Sequence, residues 1–144
     1  MSKQFLGMFF GLAISLVAQG QSKGWFQKQG VAVNGYDVVA YFTQGQAVPG
    51  QAAFTFQWQG ANWQFATARH LALFKENPEK YAPQYGGYCA YGCSQHHQSP
   101  TNPQAFTIVD GKLYLNYSAK VKQLWLPDTA QHIVNANSFW NGLQ

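Results

Sequence analysis

The chain has 144 residues, 10% of them charged and 17% aromatic, with a formal charge of +4. That length holds one domain, and the nine Lys and Arg residues are dispersed, with no basic run of the kind a nucleic-acid footprint requires. Charge content is well below the roughly 25% of an average soluble domain, so polarity must come largely from glutamines such as Gln44, Gln46, Gln57, Gln59 and Gln64.

Residues 1–20 have the layout of a secretory signal peptide. Lys3 supplies a positive start, Phe5 to Val17 is a continuous apolar run, and Ala18-Gln19-Gly20 places small residues before a cut. A membrane span needs about 18 or more apolar residues, so no stable span is expected once the leader is removed. The mature chain is expected to begin near Gln21, exported to a periplasmic or extracellular compartment that permits disulfides. Residues 21–30 read as a linker carrying Trp25 and Phe26, and 31–144 as the folded domain.

Val31-Ala32-Val33 suits a short extended segment ended by the Asn34-Gly35 turn signal, and Asp37 can cap a short helix over 38–42. From Phe54 the pattern alternates: Phe56 and Trp58, then Trp63 and Phe65, predict a hairpin with one apolar face. A type II′ turn at Gly60-Ala61 would set Trp58 against Trp63 and Phe56 against Phe65. Thr67 can cap a helix carrying Leu71 and Phe74, stopped at Asn77-Pro78, and Pro78 can open a further turn through Tyr81. A second hairpin is expected around Asp110-Gly111, pairing Ile108 with Leu113 and Phe106 with Leu115 on a buried face. Ser118 caps a helix with Val121, Leu124 and Trp125. Beyond Pro127, the Asp128 and Gln131 spacing opens a last helix with Ile133, Val134, Ala136 and Trp140. The expected fold is therefore α+β: two antiparallel hairpins packed with several short helices in a single compact domain, with no parallel βαβ pattern.

The runs Asn34-Gly35-Tyr36-Asp37-Val38-Val39-Ala40-Tyr41-Phe42, Trp63-Gln64-Phe65-Ala66-Thr67 and Leu73-Phe74-Lys75-Glu76-Asn77-Pro78-Glu79-Lys80-Tyr81 resemble the YHS-domain family. Tyr85-Gly86-Gly87-Tyr88-Cys89-Ala90-Tyr91 and Val109-Asp110-Gly111-Lys112-Leu113-Tyr114-Leu115-Asn116-Tyr117 are similar to its longer, exported branch. The resemblance spans roughly residues 31–140. Short YHS modules attached to metal transporters look like thiolate metal binders. The resemblance places their cysteines at positions held here by Ala40, Ala66 and His70, so that borrowed site is mostly absent and only scaffold remains.

Chemistry concentrates in Asn77 to His97, which holds both cysteines, two of the four histidines and a Gly-Gly pair. In a strand, Cys89 and Cys93 would stand about 13 Å apart; on a helix they are neighbours on one face. A helical segment would also bring His96 and His97 to the same stripe, a plausible donor set for copper, or for zinc second, with His70 or His132 as additional ligands. The competing reading is a Cys89–Cys93 disulfide in a non-catalytic binding module. Tyr36, Tyr41, Tyr85, Tyr88 and Tyr91 would then line a pocket for a small ligand or partner segment. Thiol redox activity is a third, requiring a strained, exposed disulfide. No catalytic motif is present, and the carboxylates Asp37, Glu76, Glu79, Asp110 and Asp128 all sit at caps, turns or helix stops, so an enzyme is not expected.

Overall fold

The computed structural model describes residues 21–144, and the expected leader lies outside them. Its first layer is a four-stranded sheet in the order β1-β2-β4-β3, comprising β1 (Gln27–Lys28), β2 (Val31–Ala32), β3 (Gln51–Trp58) and β4 (Ala61–Phe65). A second, two-stranded sheet pairs β5 (Phe106–Val109) with β6 (Lys112–Leu115). Around these lie α1 (Val38–Thr43), α2 (Ala68–Glu76), α3 (Pro78–Tyr81), α4 (Ala90–Ser94), α5 (Ala119–Trp125) and α6 (Thr129–Asn141). The α+β class is as expected, and among the described residues no helix is long and apolar enough to cross a membrane.

The helix starts follow local chemistry. Asp37, Thr67, Ser118 and Asp128 each accept a backbone N–H from the first turn of α1, α2, α5 and α6, satisfying donors that have no partner inside the helix. Pro78 opens α3, where its missing N–H costs nothing.

Three expectations change. The β3–β4 turn is Gln59-Gly60, both at positive φ (48° and 78°), the signature of type I′ rather than II′. Phe56 therefore faces Trp63, and Trp58 faces Ala61. The shift is two residues, an even number, so the four aromatics still share one face. Next, β2 pairs with β4 in parallel, at Val31 and Asn62, so one parallel pair exists where none was expected. Third, residues 21–30 are not a linker: β1 pairs with β2, Phe26 is buried, and the Phe26 N–H donates to Gly86 O at 2.7 Å.

Two apolar clusters result. One joins the buried residues of β4 (Trp63, Phe65) to Val38, Val39 and Tyr41 of α1, Phe74 of α2, and Leu113 and Leu115 of β6. The other holds Tyr85, Ala90, Cys93, Tyr114, Trp125 and Ala136. Strand β6 is thus walled by apolar groups on both faces, Leu113 and Leu115 toward one cluster and Tyr114 toward the other. The price is Ile108, expected to be buried but 37% exposed. Leu124 and Val134 also face outward.

Candidate functional site

Tyr85 and Gly86 lie at positive φ (58° and 63°), and the turn over 84–87 delivers the chain to α4 with Cys89 at its N-cap. The Cys89 sulfur is the cap: Gly92 N–H donates to Sγ at 3.4 Å and Tyr117 N–H at 3.3 Å, while the thiol donates to Asn116 Oδ1 at 3.4 Å. Asn116 is fully buried just beyond β6, and its Oδ1 also accepts Tyr91 N–H at 3.0 Å. Burial pushes the Cys89 thiol up, and the N–H groups of Gly92, Tyr117 and Tyr91 partly offset that.

Beyond α4 the backbone leaves the helix. His96 takes φ 68° and His97 N–H returns to Gly92 O at 3.0 Å. The His97 ring is laid across Gly92, where an added Cβ would lie 3.0 Å from the ring Cε1. Its Nδ1 is 3.0 Å from Ser99 Oγ. Cys89, Tyr91, Gly92, His97, Ser99, Tyr117 and Val121 together line a cavity of about 260 Å3.

The helix over 90–94 meets the condition that brings Cys89 and Cys93 to one turn, but the four-ligand stripe does not form, because the helix ends before it reaches the histidines. His96 turns away to stack on Phe139, with centroids 5.9 Å apart. Cys93 is fully buried in the second cluster, and its thiol is pushed up to about 12, mainly by that burial and secondarily by Cys89 nearby. Among the described residues, no three His, Cys, Asp or Glu side chains are placed to hold a metal ion. Both cysteines are free thiols, so the expected disulfide staple is not formed. Of the expected ligands, only Cys89 and His97 share a cavity.

The two additional histidines are occupied elsewhere. His70 is buried, with Nδ1 2.6 Å from Asp37 Oδ2 and Nε2 3.2 Å from Thr43 Oγ1. His132 sits edge-on to Tyr91, its Nδ1 buried without a partner among the described residues.

The tyrosines expected to make one pocket are dispersed. Tyr41 is a core residue whose hydroxyl donates to Pro103 O, and Tyr36 bridges to Pro49. Tyr85 donates to Asn137 Oδ1. Tyr88 packs between Phe26 and Trp140, and only Tyr91 reaches the thiol cavity. Asn116, the residue that anchors the sulfur, was not among the candidates; its one signal was an amide placed directly after an apolar strand.

The chain matches no protein-family model, and no curated protein or solved structure matches it.

Proposed function

We propose that the chain is an exported, non-catalytic binding domain of the YHS type, working in a periplasmic or extracellular compartment, and that its ligand is copper(I) held by Cys89 and His97. One observation carries this reading: the Cys89 sulfur and the His97 imidazole line the same small cavity. Thiolate and imidazole both suit copper(I), whereas a structural zinc site calls for four ligands. Two donors are a sufficient set for copper(I) and half of what zinc requires, so copper stays ahead of zinc. With the Nδ1 proton donated to Ser99, the His97 Nε2 lone pair is free for the metal. The Gly92 and Tyr117 N–H groups that point at the sulfur stabilise the thiolate that metal binding creates. The redox reading is weaker, because both sulfurs are buried rather than exposed.

A second reading is favoured by the remaining lining. Tyr91, Tyr117 and Val121 give the cavity an apolar body that fits a small organic ligand with no metal. Competition titration of the reduced protein with a chromophoric copper(I) chelator separates the two. The expected result is one copper(I) equivalent, weakened by about 100-fold or more in Cys89→Ser and at least about 10-fold in His97→Ala, with no comparable zinc binding. Wild-type affinity equal to that of both variants overturns the copper reading and leaves the organic-ligand one.

A further inference from the structure

On another part of the molecule, two adjoining cavities of about 310 and 210 Å3 share Trp25, Gln59, Pro83 and Gln84. Trp140 lines the first and Trp58 the second, so three indoles border one continuous groove. All three are partly exposed. Trp25 is fixed in place by its contacts with Trp58 (5.3 Å between centroids) and Trp63 (4.9 Å). Gly86 closes the floor: a side chain there would collide with the Gly24 carbonyl and press on Trp140.

We propose that this groove binds a neutral oligosaccharide. A pyranose ring presents C–H faces that stack on indole and an edge of hydroxyls, each both donor and acceptor. The shared middle of the groove offers two primary amides, Gln59 and Gln84, and an amide likewise carries both donors and an acceptor. Neither amide forms a hydrogen bond with another group among the described residues. Indole provides stacking area at little cost in side-chain entropy. The charged lining groups are Lys23 in one cavity and Glu79 in the other; their formal charges cancel, which disfavours a polyanionic ligand. A proline-rich peptide also docks in aromatic grooves, but its proline nitrogens carry no proton, so the amide oxygens would go unmet. A glycan meets both halves of each amide.

The test is calorimetric titration of the mature protein with cellohexaose, maltohexaose and chitohexaose, and with decaproline as the peptide competitor. At least one hexasaccharide should bind with Kd below about 1 mM. That affinity should fall about 10-fold in Trp140→Ala, a loss of about 1.4 kcal/mol. Gln59→Ala, at an exposed hairpin turn where folding is unaffected, should weaken it about 3-fold. Ile108→Thr, on the other sheet, should leave it unchanged. Absence of binding by all three sugars, binding that survives both groove substitutions, or tighter binding of decaproline each overturns the assignment.

Discussion

Cys89 and Cys93 differ by one helical turn and by most of their chemistry. Cys89 faces a cavity and receives backbone N–H groups, whereas Cys93 points into Tyr85, Tyr114 and Trp125 with no compensating donor. Desolvation therefore acts on Cys93 almost alone and holds its thiol up to about 12. The linkage has a definite sign. An unfolded cysteine releases its proton near pH ~8.5, while the folded one keeps it to about 12. The contribution of Cys93 to stability is complete below that lower value and declines as pH rises through the interval. Urea titrations at pH 7 and pH 10 should show wild type losing more stability across this step than Cys93→Ala does. An equal loss in the two proteins would place the Cys93 thiol outside a desolvated site.

At the scale of elements, Asp37 joins three of them. Its Oδ1 caps α1 through Val39 and Ala40 N–H, and its Oδ2 accepts Ala66 N–H, just after β4, at 2.8 Å and His70 of α2 at 2.6 Å. The capping role was legible, because Asp before an apolar run is a local pattern. The bonds to Ala66 and His70 were not: they cross 29 and 33 residues, and no periodicity reports such a distance. The same division explains His70, which stands at the edge of the apolar stripe in sequence and yet is buried because Asp37 receives it. Asp37→Ala leaves Ala66 N–H and a buried imidazole unpaired. It should cost about 3–5 kcal/mol, the range for breaking a buried pair by removing one partner. Asp37→Asn should cost less, since it retains the cap. Chemical denaturation of both variants measures this, and a loss near the ~1 kcal/mol of a simple cap would mean the carboxylate does not hold the three elements together.

For the whole molecule, the packing depends on β6, the one strand that carries buried side chains of both clusters. Leu113→Ala opens a cavity in the larger cluster, with an expected loss of about 2–5 kcal/mol. Because Tyr114 is the adjacent residue, the loss should also be felt across the strand: near-ultraviolet circular dichroism of the Tyr85–Tyr114–Trp125 group should change along with thermal stability. Unaltered aromatic signals would show the two clusters to be independent. Turns, caps, the stop at Pro78 and the apolar face of the first hairpin were all readable from the chain, since each is decided by residues within about four positions or by alternation along one strand. Which aromatic faces which was decided by the backbone twist that selects a type I′ turn. Likewise, the gathering of Cys89, His97 and Asn116 around one cavity, and the parting of His96 and Cys93 from it, depended on where α4 stops and what β6 places behind it. Those are questions of packing between segments distant in sequence, and only the folded chain answers them.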